Sequence, residues 1–407
     1  MALGSAFILS SAPLTFRPQQ GVNSLNVRKL NGRSIFVNVR RGPVRTLSVA
    51  HFRRSGGEGV VFCSARGVGV PRGDHTIAVI GDIHNQWDVQ DHACLRKLSA
   101  DIALFVGDFA MEEVEIVKTV SALQMDKAVI LGNHDASRTA LSCGLESAYP
   151  YHYDTFKEIL DSLGDTHVGF GYKDYHSMGL SVVGGRPCSF GSKTWANAEF
   201  YHKYFGVRSC EDSVKRMVTS VVRSSHRDLI LLAHNGPYGL GAQPNDPCGR
   251  DWIKGRGGDF GDWDLREAIK QTQERETGKR IRLVAFGHMH RDLQNGLGKR
   301  RMVHRDRAGT VYLNAAVCPR VVPYAKFNLR NFCLVTMSAS GPVKSIRNVW
   351  VDDKEFKIRK DELWYEESQA DENVTQTPSH VGIGEYGRVL MENKEKVLAN
   401  MSGPLQR

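Results

Sequence analysis

Eight residues of this chain have the types and the spacing to hold metal ions, and they arrive in five short bursts. Three times an apolar run of strand length ends in Gly and then a polar group: VIGDIH with Asp82 and His84, LFVGD with Asp108, and VILGNHD with Asn133 and His134. The pattern returns far downstream as LILLAHNGP with His234 and as LVAFGHMH with His288 and His290. Short buried strands that stop on Gly release their polar neighbours together at the carboxyl edge of a sheet. The donors so released are oxygen and nitrogen mixed, the set that a pair of metal ions about 3.5–4 Å apart requires. A core has no use for them, since histidines kept for packing are usually single and scattered.

Asp108, alone at a strand end between the other groups, is the natural bridging carboxylate. Residues two apart on an extended segment point to one side, so Asp82 with His84, and His288 with His290, are each expected to reach one ion. Imidazole suits zinc, iron and manganese, while carboxylates and an amide carbonyl favour a harder ion such as manganese or ferric iron.

The elements that must position these residues alternate. HTIAVIGD, IALFVGD and KAVILGN read as strands, separated by helices over VQDHACLRKLSA and EEVEIVKTVSALQ. That start argues for an α/β layered fold with parallel pairing. From Ser137 to Gly179 the pattern is less regular, with one helix at TFKEILDSLG, before LSVVGG resumes the sheet. An insertion at 186–225 includes NAEFYHKYFGV, with Phe200, Tyr201, Tyr204 and Phe205 at helical spacing, and then the helix DSVKRMVTSVVRS. The aromatic stretch reads as a helix packed on the body, with a substrate-stacking lid as the sharper reading. LILLAHNGP, a Gly-rich loop from Tyr238 to Asp262, the helix WDLREAIKQTQERE and the strands RLVAFGHMH, TVYLNAAV and NFCLVTMS follow, and IRNVWVD is expected to close the second sheet. Residues 353–407 read as a charged, partly disordered tail with one helix near VLMENKEKVLANM.

The formal net charge of +10 does not indicate a nucleic-acid partner. Residues 1–66 hold ten of the 54 basic residues and one of the 44 acidic ones, which leaves a neutral body of 44 basic and 43 acidic residues. The basic excess belongs to a Ser- and Arg-rich, acid-poor leader with no sustained strand or helical period, the composition of an organelle transit peptide. VFCSAR resembles a plastid processing site, with cleavage near Ala65, so the chloroplast stroma is the expected location and the mitochondrion the alternative. No apolar run of eighteen residues is present to cross a membrane as a helix. The eight cysteines are spread singly, without C-x-x-C, and only Cys188, Cys210 and Cys248 share a segment that invites a redox link.

The ordered series GDIH (81–84), GD (107–108), GNHD (132–135), AHNGP (233–237) and GHMH (287–290) closely resembles the calcineurin-like metallophosphoesterases, over about residues 75–340. The resemblance implies two packed mixed β-sheets flanked by helices, an α/β/β/α sandwich, in a domain over 67–352. It implies two metal ions, manganese, iron or zinc. Asp82, His84, Asp108 and His290 would hold the first, and Asp108, Asn133, His234 and His288 the second. It further implies hydrolysis of phosphomonoesters or phosphodiesters by metal-bridged hydroxide, with His134 protonating the leaving group and Asp135 orienting His134.

Departures narrow the substrate. The second motif continues as GDFAME and Leu131 precedes Gly132, so both phosphate-gripping Arg of the phosphoprotein phosphatases are missing. Met111 stands where purple acid phosphatases place a Tyr, which excludes that subgroup. A small phosphorylated substrate, nucleotides among the candidates, is what remains, with Asn85, Arg250 and Arg256 as candidate substrate-binding residues. The rival reading is a non-catalytic interaction scaffold on the same fold. Against it, every ligand position and His134 stand.

Overall fold

The computed structural model describes residues 73–143, 154–253, 257–275, 277–294, 296 and 298–367, together with the backbone of four strands nearer the N-terminus. The chain divides into two units, Met1–Pro71 and Arg72–Arg407. In the first, β1 (Ser24–Leu30) pairs antiparallel with β2 (Arg33–Asn38), and β3 (Val49–Arg54) with β4 (Gly57–Phe62). These strands differ from the expectation of a leader without strand period. The overlooked signals are the two-residue connections Asn31-Gly32 and Ser55-Gly56, of the kind that tight hairpins prefer.

In the second unit the order is β5 (His75–Ile80), α1 (Val89–Leu98), β6 (Ile102–Phe105), α2 (Val114–Ser121), β7 (Lys127–Val129), α3 (Ser137–Ser142), α4 (Thr155–Leu163), β8 (Tyr172–Tyr175) and β9 (Leu180–Gly184). It continues with α5 (Ala198–Phe205), α6 (Cys210–Arg223), β10 (Asp228–Leu232), α7 (Trp263–Glu274), β11 (Arg280–Phe286), β12 (Val303–Arg305), β13 (Val311–Asn314), β14 (Val321–Tyr324), β15 (Phe327–Met337), β16 (Val343–Asp352) and β17 (Ile358–Glu366). Two mixed sheets result. One runs β17-β16-β15-β5-β6-β7 with β14 beside β15, and the other runs β12-β13-β11-β10-β9-β8. β15 and β16 therefore extend the sheet of β5, correcting the expectation that IRNVWVD closes the other. β17 corrects part of the tail reading. Its sequence, IRKDELWYE, is charged because the strand is an exposed edge, where charge discourages further pairing. The region of VLMENKEKVLANM lies outside the described residues.

Strict alternation along the central strands explains both cores. Ile77, Val79, Leu104, Ile230, Leu232, Leu283 and Ala285 face inward between the sheets. Ala78, Ile80, Phe105, Leu229, Leu231, Val284 and Phe286 face outward under the helices. Strands buried on both faces read as continuous apolar runs, the pattern of parallel sheets covered by helices.

The aromatic helix α5 belongs to this packing. Phe200 and Tyr201 are each 1% exposed, and Phe156 of α4 meets Phe200 and Tyr204 with ring centroids 4.9 Å apart. Phe200 and Tyr201 have no free face for a substrate, and Tyr204 and Phe205 pack half-buried against the core, which favours the packed helix over the lid reading.

A buried ionic knot fixes the loop after β5. Asp91, fully buried in α1, accepts from Arg320 at 2.7 Å and from Arg330 at 2.6 Å. Arg320 also donates to the Gln86 carbonyl and to its Oε1, the latter through its backbone N–H at 2.8 Å. Residues 86–91 are thereby held to the ends of β14 and β15. Removing one partner of a buried ion pair leaves uncompensated charge, so Asp91→Ala is expected to destabilise the fold by about 3–5 kcal/mol. Urea unfolding of variant and wild type checks this, and a loss below about 1 kcal/mol would refute it.

Candidate metal centre

β5, β6 and β7 run parallel in one sheet, and β9, β10, β11 and β13 run parallel in the other. Their carboxyl ends meet, and the residues released there converge. His84 Nε2 lies 4.0 Å from Asp82 Oδ2, 3.9 Å from Asp108 Oδ2 and 3.2 Å from His290 Nε2, with His290 Nε2 3.3 Å from Asp82 Oδ2. On the other side, His234 Nε2 lies 3.4 Å from Asp108 Oδ1 and 2.9 Å from Asn133 Oδ1. Donor atoms of Asp108, His234 and His288 all fall within 4.8 Å of one another. Asp108 thus faces both groups, one oxygen to each.

The local backbone differs from the extended segments that the spacing implies. His84, Asn85, Asp108 and His288 have φ of 42°, 63°, 53° and 67°, in the left-handed region that non-glycine residues seldom adopt. Asn133 and His134 are helical, the latter opening a 3-10 turn, so their side chains diverge by helical rather than strand geometry. Tertiary hydrogen bonds hold these conformations. Ile83 and His84 N–H both donate to the Asp108 carbonyl, at 3.0 and 2.8 Å, and Asn85 N–H to that of Phe109 at 2.7 Å. Conformations that cost about 1–3 kcal/mol each persist only when their surroundings fix them, and they concentrate at functional sites.

The glycines before the ligands also acquire a reason. A Cβ on Gly132 would strike the Asp108 carboxylate and approach His234 Cε1 to 2.6 Å, and one on Gly287 would strike Asp82. Each small residue clears space for a ligand delivered by a neighbouring strand.

The donor set fits cations. His234 Nδ1 donates to the Val106 carbonyl at 2.8 Å, which turns the Nε2 lone pair toward two acceptor oxygens, those of Asn133 and Asp108. Three acceptors facing one point form a cation cradle. The carboxylates tell the same story. Burial opposes charge on Asp82, yet its hydrogen bond with His290, with His234 and His84 nearby, holds it below the ordinary carboxylate range. Asp108 is pushed well above that range by burial and by the charge of Asp82. One negative charge suppresses the other unless positive charge enters between them. Burial and His234 keep His288 in its neutral form, the form that binds metal.

His134 stands at the mouth, its ring 37% exposed and its Nε2 4.0 Å from Asp108 Oδ2. Burial and the nearby His84 and His234 hold its pKa down at about 4, and a bound phosphate would act in the opposite direction. Asp135 does not orient this ring. Its carboxylate is buried and accepts from the N–H groups of Gly132 at 2.7 Å and Phe109 at 2.8 Å, pinning the ends of β6 and β7 together. Burial and Asp108 raise its pKa to about 8 despite those bonds. The neighbour of His134 Nδ1 is the Met111 sulfur, at 2.7 Å. The 3-10 turn makes the difference, carrying residue 135 inward while residue 134 faces out.

Asn85 is exposed beside His84. Arg250 donates to the Gly257 carbonyl at 2.8 Å and lies over Phe260, within its own loop, so the structure does not bring it to the centre. Arg256 lies outside the described residues. The described cysteines, Cys188, Cys210 and Cys248 among them, are all free. Sequence reasoning missed two features. Buried Arg186 binds Asp262 at 2.7 Å and Asp264 at 3.0 Å, locking the end of the Gly-rich loop behind His234. Cys318 stands against Asp82, His84 and His290.

A bridging carboxylate between two ligand sets, ringed by imidazoles at the joined edges of two sheets, defines a candidate dinuclear metal centre. The profile described as calcineurin-like phosphoesterase matches residues 75–292, and the chain belongs to that family. No curated protein matches the sequence. Similar solved structures include a dimetal phosphatase from Danio rerio, at 9% identity, with 72% of this chain and 99% of that one covered and a TM-score of 0.38. A purple acid phosphatase from yellow lupin (Lupinus luteus) seeds gives 11% identity, 72% and 54% coverage and a TM-score of 0.35. PhoD gives 8% identity, 90% and 86% coverage and a TM-score of 0.45.

Proposed function

We propose that the chain hydrolyses small phosphate esters, monoesters or diesters, with two metal ions held by Asp82, His84, Asp108 and His290 on one side and by Asp108, Asn133, His234 and His288 on the other. The observation that carries this reading is the position of Asp108, one carboxylate oxygen turned to each ligand set. Two ions in these places supply Lewis acidity toward a phosphoryl group and an activated water. The chain's own residues do the rest. Asn85 offers an amide to a phosphate oxygen, and His134 stands where a proton can pass to the departing oxygen. Arg300 reaches the cluster only at the His290 backbone carbonyl, at 3.0 Å, and is otherwise taken up by the carbonyls of Pro244, Asp246 and Gly249, which favours a compact phosphoryl group gripped by the ions themselves.

The test is turnover by the full-length, metal-reconstituted protein against panels of phosphomonoesters, phosphodiesters and nucleotides. Hydrolysis of one panel supports the reading and sorts monoester from diester. A chain that carries two ions and turns over none of them is an interaction scaffold instead.

A further inference from the structure

We propose that the Cys318 thiol is a further ligand of the metal position formed by Asp82, His84 and His290, and that it makes this position selective for a thiophilic divalent ion, zinc or ferrous iron. The inference rests on the dinuclear reading above and adds to it a donor and a metal preference.

The placement is architectural. β13 runs parallel to β11, so its carboxyl end reaches the edge where β11 releases His288 and His290. The chain beyond β13 is laid across that edge. Ala315 N–H donates to the Phe286 carbonyl at 2.7 Å, and Arg291 N–H, one residue past His290, donates to that of Ala316 at 2.8 Å. Gly81 packs so closely under the Ala315 carbonyl that a Cβ there would collide with it. Four residues after β13 ends, this segment delivers Cys318 as the contribution of a sixth strand end.

The sulfur, a carboxylate oxygen of Asp82 and a ring nitrogen each of His84 and His290 all lie within 4.8 Å of one another. Ligands on one ion, with bonds of about 2.0–2.3 Å, stand up to about 4.5 Å apart, so the four atoms need only small shifts to share one. The thiol donates to the Asp82 backbone carbonyl at 3.4 Å, a weak bond that keeps the sulfur facing the group and gives up little on release. On binding, the sulfur–metal bond forms as the thiol proton passes to buffer. Sulfur, two imidazoles and the carboxylates of Asp82 and the bridging Asp108 are a borderline-soft set that suits zinc and ferrous iron. The Asp108, Asn133, His234 and His288 set has no sulfur and suits a harder ion. The two positions therefore differ in kind.

The experiment is cobalt(II) titration of the chelator-stripped, full-length protein. The expected result is a near-ultraviolet thiolate-to-cobalt absorption that saturates with one of the two bound equivalents. Cys318→Ser should abolish it, and competition with a chromophoric chelator should show zinc weakened about 10–100-fold at one position with manganese little changed. If the Ser variant does not fold, X-ray absorption of the wild-type zinc protein decides, through a zinc–sulfur distance of about 2.3 Å. Two cobalt ions bound without the absorption, its survival in a folded Cys318→Ser variant, or zinc without a sulfur neighbour overturns the proposal and leaves the dinuclear reading standing. A protein that binds no cobalt overturns both.

Discussion

Asp108→Asn is expected to empty both metal positions and abolish phosphoester hydrolysis. One carboxylate oxygen, Oδ2, faces His84 and the other, Oδ1, faces His234, so a single neutral amide takes negative charge from both sets and replaces the Oδ2 donor of the first by an NH2 group that cannot bind a cation. The substitution disturbs little else. Asn is among the few residues at ease in the left-handed conformation found here, with φ of 53°. Its Oδ1 can still accept from the His134 N–H, a bond of 2.9 Å in the wild type.

Linkage adds a second, opposite signature. Burial and Asp82 raise the folded-state pKa of Asp108, so the folded chain binds the extra proton more tightly than the unfolded one. Without metal, wild-type stability therefore falls as pH rises from the unfolded carboxylate value of about 3.9 toward the raised folded value. Metal-free Asp108→Asn should consequently unfold at a higher temperature than metal-free wild type at pH 7, and the gap should close in acid. Added metal should stabilise only the wild type. Elemental analysis with thermal unfolding from pH 4 to 8 reads all three effects. A variant that keeps two ions per chain would remove Asp108 from the bridge and defeat the assignment.

How much of this was legible in the sequence follows from the physics of each part. The strand ends were legible because a strand buried on both faces must be apolar until it stops, so Asp82, Asp108 and His234 announced themselves by contrast. The helix α5 was legible as a period, but not the fact that Phe200 and Tyr201 are both covered, which depends on Phe156 in a distant helix. Asp135 was misjudged for a related reason. Adjacency to His134 suggested a pair, whereas the turn sends the carboxylate to the N–H groups of Gly132 and Phe109.

The left-handed conformations of His84, Asp108 and His288 leave no local signal, since non-glycine residues are forced into them by hydrogen bonds to other strands. Cys318 was recoverable. TVYLNAAVCPR also ends an apolar run on a metal-capable residue, and it escaped notice because Asn314 interrupts the run and the cysteine stands four residues past the end of β13.

His134→Ala separates chemistry from metal binding, and it is expected to keep both ions while lowering kcat by about 10²–10⁴-fold. The ions should stay because the link from this residue to the bridge is its backbone N–H, which donates to Asp108 Oδ1 and survives the substitution. The ring is 37% exposed, and its Nε2 stands 4.0 Å from Asp108 Oδ2, at the rim of the cluster. Its other nitrogen rests on the Met111 thioether, a weak acceptor that steers the ring without fixing a charge on it. A proton carried there serves the departing oxygen, so the loss should depend on what departs. Alkyl esters, whose alkoxide cannot leave unprotonated, should suffer most, and nitrophenyl esters least, because nitrophenolate leaves as an anion. Wild type and variant compared across leaving groups of graded pKa, with metal content measured in parallel, should give a steeper dependence on leaving-group pKa for the variant. Equal slopes would mean that His134 contributes binding rather than a proton. Loss of metal from the variant would make it a ligand.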